Sequence, residues 1–533
     1  MGSASRYALP AMPERFSNPV LPGFHPDPSI CRVGEDYFLV TSTFEYFPGL
    51  PVHHSRDLVH WRPIGHVLDR PSQLDLDGVR PSGGLYAPTI RHHDGRFFVV
   101  CTLVGGRRRS GNFLVTASDP AGPWSEPAWL EGAEGFDPSL LFDGDGRVWF
   151  HACRQVRWPS RTGQTEVWLQ ELDPRRPALT GRRRVLWSGA LANAIWAEGP
   201  HLYRADGRYH LIAAEGGTEH DHAVIAARAD RVTGPYEGSP RNPVLTHRHF
   251  GRSHPVVGPG HADLVETPAG EWWAVLLARR AYGGPFTNLG RETFLVPVAW
   301  EDGWPVFCPG AGQVPLELEG PDLPPHPWPP EPARDDFDAP VLGPAWSVVR
   351  TPREESWTLS ERPGYLRLRL RPETLADRAH PSFVARPQEH MDFAAEAALE
   401  FEPEAEDCCA GLALRLDDDH HVLLVVAGRA SRVVRAVVRA GDDPARVVAE
   451  APVEAPVEAG RVLLGVRARG QDYELRFGPG PDAWRTLARV DGRMLSSHPS
   501  GVFVGTVVGM YASGNGRRSA GRADFDWFEY RGL

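Results

Sequence analysis

The chain has 533 residues, 41% of them hydrophobic, enough for roughly two to four packed domains. Its formal net charge is −11 and no basic stripe stands out, which argues against a nucleic-acid partner. All 57 basic residues are arginine, so lysine-dependent Schiff-base, pyridoxal-phosphate and phosphate-loop chemistries are excluded.

From the start, Met1 to Phe16 lacks an apolar signal core. No stretch reaches about 18 apolar residues, so no membrane span is expected. A cytoplasmic location is the expectation, unless a leader has been removed. The cysteines are Cys31, Cys101, Cys153, Cys308, Cys408 and Cys409, with no Cys-x-x-Cys pair or zinc spacing. So few in so long a chain do not suggest a disulfide framework.

Helical periodicity is scarce. Short β-branched and aromatic runs such as Arg96–Cys101 recur between Gly and Pro turns, which predicts an all-β protein. An internal repeat organises the first 300 or so residues. A turn leads into an apolar position, then a Gly or acidic turn, then an aromatic strand. The copies begin at Asp27-Pro28-Ser29-Ile30, Ala87-Pro88-Thr89-Ile90, Asp137-Pro138-Ser139-Leu140, Gly199-Pro200-His201-Leu202 and, more diverged, His261-Ala262-Asp263-Leu264. Steps of roughly 50 to 62 residues match one four-stranded blade each. Five copies predict a five-bladed β-propeller over residues 15–318. Residues 319–333 are Pro-rich and read as a stiff, extended linker. Residues 334–533 alternate with period two, as in Tyr365–Leu370, and predict a β-sandwich.

Blades begin with an inner strand beside the propeller axis, so equivalent repeat positions converge on one funnel. Three copies place a carboxylate at the first repeat position or one residue earlier: Asp27, Asp137 and Glu198. Three carboxylates at one pocket repel, and their pKa values are driven apart. Inverting glycoside hydrolysis needs that arrangement: a carboxylic acid for the leaving oxygen, and a carboxylate that activates water on the opposite face. The two sit roughly 6.5–9.5 Å apart. Taken singly, Asp27 and Asp137 read as Asp-Pro turn caps. Their shared place in the repeat favours chemistry.

Several segments resemble glycoside hydrolase family 43, in its β-xylosidase and α-L-arabinofuranosidase branch. They are Asn18–Ser29, Ser42–Gly49, His54–Trp61, Gly135–Ser139, Ala197–Pro200, Leu289–Thr293 and Ala523–Phe528. The resemblance covers nearly the whole chain. It implies that Asp27 is the general base, Glu198 the general acid, and Asp137 the residue that orients Glu198 and tunes its pKa. Arg291 is then expected to bind sugar hydroxyls and Phe44 to wall the terminal sugar. Tyr86 stands where relatives often carry tryptophan, which leaves the sugar preference open. His261 resembles the family's axial histidine, and Phe503 lies in a segment similar to a sandwich loop that closes the pocket.

The expected activity is exo-acting, inverting release of xylose from the non-reducing end of short β-1,4-xylo-oligosaccharides. The alternatives are an α-L-arabinofuranosidase or bifunctional enzyme and, more remotely, a non-catalytic carbohydrate-binding propeller. A retaining fructosidase is disfavoured, because its Asn-Asp-Pro-Asn-Gly and Arg-Asp-Pro motifs are absent. No cofactor is required by this chemistry. No oxygen-ligand cluster of the kind calcium wants appears in the sequence, and a structural calcium near His261 is held only as an open expectation. The expected partner is a small neutral oligosaccharide, with a homo-oligomer left open and the sandwich expected to be structural.

Overall fold

The computed structural model describes residues 15–193, 195–453 and 460–533. Five antiparallel sheets follow one another along the chain. Blade I comprises Ser29–Val33, Asp36–Val40, Gly49–Ser55 and Arg62–Leu68. Blade II runs Thr89–His93, Arg96–Val104, Gly111–Ala117 and Ala128–Trp129. Blade III runs Phe136–Phe142, Val148–Gln155, Thr165–Asp173 and Ala178–Trp187. Blade IV runs Glu198–Ala205, Arg208–Glu215, Ala223–Ala229 and Glu237–Gly238. Blade V runs Val256–Glu266, Trp272–Arg280, Glu292–Glu301 and Trp304–Phe307. The five inner strands neighbour one another in a closed circle.

The blades hold together because apolar side chains fill the wedges between them. Ile212 and Val224 of blade IV pack with Leu276, Phe294 and Val296 of blade V. The ring is clasped from outside: Arg15–Ser17 pairs with Glu317–Glu319. The Asn18 side chain exchanges two hydrogen bonds of 2.9 Å with the Leu295 backbone.

The C-terminal part is a sandwich of two eight-stranded sheets. Its strand Leu366–Arg369 alternates buried and half-buried residues, as its sequence requires. The outermost strand of one sheet is Tyr46–Phe47, which belongs to the propeller and pairs with Ser347–Val349. The sandwich sheet therefore ends inside the loop between blade I's second and third strands. The Pro-rich segment is not a free spacer either. The His326 amide donates to Asp57 at 2.6 Å, the Trp328 indole donates to the His60 carbonyl at 3.1 Å, and the Arg62 guanidinium lies 3.8 Å above the Trp328 ring. Composition suggested stiffness; these tertiary contacts pin the segment along blade I.

Candidate active site

The repeat acquires its meaning at the backbone. Asp27, Asp137 and His261 each have φ of 52°, and Gly199 has 56°. Four of the five first positions of the repeat are thus left-handed, a region that costs a non-glycine residue about 1–2 kcal/mol. At Gly199 no side chain is tolerated, because a Cβ there would stand 2.7 Å from the His261 ring. In blades III, IV and V this residue sits in an irregularity of the inner strand's pairing, and in blade I it lies just before that strand.

The third positions of the repeat lock together beneath. Asp263 accepts from Ser29 Oγ at 2.6 Å, from Arg91 at 2.8 and 3.1 Å, and from the Tyr203 hydroxyl. Ser139 Oγ and His201 Nδ1 lie 3.0 Å apart. Burial works to raise the Asp263 carboxyl, yet Arg91 and His201 hold it well below the usual carboxylate range. This buried polar network fixes the relative height of the blades.

Above it stand the three carboxylates, in three different environments. Asp27 is buried; Ser42 Oγ donates to its Oδ2 at 2.5 Å and Arg291 Nη1 to its Oδ1 at 2.7 Å. Asp137 accepts from the Gly199 amide at 3.1 Å, the residue after Glu198. Burial raises Asp137 to about 6; Asp27 adds to the rise, while His261, the Gly199 amide and Arg291 oppose it. Glu198 is raised well above its ordinary value, first by burial and then by the charges of Asp137 and Asp27, with Arg291 opposing.

Arg291 also donates to Thr218 Oγ1 at 3.2 Å and, through Nε and Nη2, to the Phe503 carbonyl at 3.3 Å. Its guanidinium carbon lies 5.1 Å from the Phe44 ring centre and 5.4 Å from that of Phe503. Phe44 is itself left-handed, with φ of 50°. Its ring meets Tyr86 at 5.5 Å and Phe503 at 5.8 Å, and Tyr86 and Phe503 lie 6.2 Å apart. Burial raises the Tyr86 phenol. From Tyr86 an aromatic row continues to Phe136 at 6.4 Å and on to Trp196 at 6.3 Å, two residues before Glu198. His261 makes its ring contact with His201 at 6.2 Å and weighs on Asp137 electrostatically. Hydrogen bonds, ring contacts and electrostatic coupling together link all eight residues expected from the sequence.

Ser42, Thr218 and Trp196 join that set without having been singled out. Ser42 was legible only as part of its surrounding motif; Thr218 carries no local signal. Among the described residues no group of three or more His, Cys, Asp or Glu is placed to hold a metal ion. None of the helices described is long and apolar enough to cross a membrane. A cavity of about 610 Å³ between blade I, the Pro-rich segment and the sandwich includes none of the three carboxylates on its wall.

A five-bladed propeller with axial carboxylates, two of them raised by burial, fits a glycoside hydrolase. Residues 16–305 match the family described as Glycosyl hydrolases family 43, and residues 334–531 match the Beta xylosidase C-terminal Concanavalin A-like domain. The chain belongs to glycoside hydrolase family 43. It is 42% identical to a non-reducing end α-L-arabinofuranosidase of Bacteroides ovatus, over 97% of this chain and 95% of that protein. It is 40% identical to a xylosidase/arabinosidase of Butyrivibrio fibrisolvens, over 96% and 98%. The crystal structure of a xylan β-1,4-xylosidase from Bacillus halodurans superposes with a TM-score of 0.91 at 39% identity, over 97% and 99%.

Proposed function

We propose that the protein is an exo-acting, inverting glycosidase that removes terminal xylose from short β-1,4-xylo-oligosaccharides. The supporting observation is the opposite treatment of two axial carboxylates. Arg291 and Ser42 both donate to Asp27, whereas burial and two neighbouring charges favour the proton on Glu198. Glu198 then protonates the departing glycosidic oxygen. Asp27 takes a proton from the water that attacks the anomeric carbon from the other face. The bond to the leaving oxygen breaks as the bond to water forms, and the sugar leaves with inverted configuration. Asp137 holds the backbone beside the acid through the Gly199 amide and keeps Glu198 protonated by its charge. Phe44, Tyr86 and Phe503 form an apolar wall for the pentose ring, and Arg291 has donors for its hydroxyls. With Phe503 closing one side, the pocket suits a chain end.

Arabinofuranosidase or dual activity is the second reading, favoured by the 42% and 40% identical relatives. Proton NMR of the first sugar released from xylobiose tests the proposal. Initial α-xylose is expected. Initial β-xylose overturns inversion, and turnover confined to arabinofuranosides overturns the substrate.

A further inference from the structure

A second charged cluster lies at the junction of the propeller and the sandwich, and it is buried more deeply than the carboxylates. Glu45, Arg415, Arg350 and Asp418 are each at most 3% exposed. Arg415 donates to Asp418 at 2.8 Å and to the Tyr46 hydroxyl at 2.7 Å, and lies 3.5 Å from Glu45. Arg350 donates to Asp418 at 2.8 Å and to the Val79 carbonyl at 2.8 Å. The Arg350 amide donates to the Glu45 carbonyl at 2.7 Å. Two acids and two arginines are balanced in charge, but each ion costs several kcal/mol of order to desolvate, and an apolar cluster of similar shape is often as stable. What the ions add is direction.

That direction leads to the active site. Glu45 follows Phe44, and its Oε2 accepts from the Ser82 amide at 3.0 Å. Ser82 is buried, and its Oγ accepts from the Phe503 amide at 2.8 Å. The Phe503 carbonyl accepts from Arg291, whose Nη1 donates to Asp27 at 2.7 Å. The chain of contacts Glu45–Ser82–Phe503–Arg291–Asp27 therefore crosses from propeller to sandwich and back. Ser82 has φ of 61°, a strained backbone for a serine. The backbones also meet closely there: a Cβ on Gly290 would fall 2.7 Å from Gly505 Cα, and the Thr506 amide donates to the Asn288 carbonyl at 2.8 Å.

We propose that Ser82 is a positioning residue, which holds the sandwich's Phe503 at the height where its carbonyl aims Arg291 at Asp27. The inference rests on the proposed reaction, in which Asp27 acts ionised. Ser82 does not touch the sugar; it acts through Phe503 and Arg291.

The test uses two variants of the full chain, Ser82→Ala and Ser82→Gly. Both delete the hydroxyl, but glycine relieves the left-handed strain and alanine keeps it, so their stabilities diverge. Expected in both is a loss in kcat/KM of about fivefold to tenfold, the scale of one buried hydrogen bond. The loss appears in Ser82→Gly, whose backbone strain is relieved, as fully as in Ser82→Ala. Deuterium uptake in a peptide covering 501–506 quickens in both. A purely structural role would make activity follow the melting temperature. Wild-type kcat/KM in Ser82→Gly, or unchanged uptake in either variant, overturns the proposal. Because uptake needs no turnover, a wild type inactive on both xylosides and arabinofuranosides would count against the reaction and not against this linkage.

Discussion

Asp137→Asn should make the protein more stable and nearly inactive. Burial pushes the Asp137 carboxyl up to about 6, against an ordinary value of 3.8. In the folded chain it therefore binds its proton more tightly than in the unfolded chain. Below the unfolded value both states are protonated, and the group costs nothing. As pH rises from about 4 to about 6, the unfolded state ionises first, and native stability falls. Above about 6 the native state bears the whole cost of the buried charge, about 2 units, or about 3 kcal/mol. Asparagine is neutral throughout, and its amide oxygen still accepts from Gly199. The gain is thus expected to reach about 3 kcal/mol at pH 7.5 and to vanish near pH 4. Activity moves the other way. Without the Asp137 charge Glu198 loses its proton at lower pH, so the basic limb of kcat/KM shifts down as the maximum falls. Denaturation midpoints of wild type and variant at pH 4 and 7.5, with pH–rate profiles, check both halves. Equal gains at the two pH values, or a basic limb that stays or rises, refute the reasoning.

Asp27→Ala and Glu198→Ala should each lose at least about a hundredfold in turnover of xylobiose. Glu198→Ala alone should recover most of its rate on a dinitrophenyl glycoside, whose leaving group needs no proton; equal losses on both substrates would remove Glu198 as the acid. Deleting residues 334–533 should abolish activity and solubility, because Phe503 leaves the pocket and Tyr46–Phe47 loses its strand partner; a soluble propeller with full kcat/KM would contradict this. Arg279 is buried, with no carboxylate in ion-pair distance among the described residues. Burial and the nearby Arg291 lower it to about 9. Its charge therefore costs stability at neutral pH, and Arg279→Met should leave stability unchanged or raise it by about 1 kcal/mol or more. A clear fall in the denaturation midpoint would show instead that the Arg279 hydrogen bond to the Thr218 carbonyl outweighs the cost of the buried charge.

What the sequence made legible follows from what repeats. Asp27, Asp137 and His261 were visible because four of the five blades carry the same left-handed residue at the axis, so one turn recurs with one meaning. Glu198 lies one residue before that position, since Gly199 takes the left-handed place against His261. Arg291 obeys no such rule. It precedes the third strand of blade V, and resemblance alone marked it. Phe503 and Ser82 are 421 residues apart, and Tyr46 and Arg415 are 369 apart. No local period links residues so distant, and burial of four charges leaves no pattern that composition reveals. The boundary between propeller and sandwich was legible as a change in composition, yet it is not a mechanical boundary: the sandwich's Phe503 packs on Phe44 and Tyr86, and its sheet pairs with the loop that follows Phe44. The repeat brings the carboxylates together, whereas contacts outside the repeat give them different partners. A site built from symmetry alone would hold equivalent groups; an acid and a base need Arg291 and Ser42 on one carboxylate and their absence from the other.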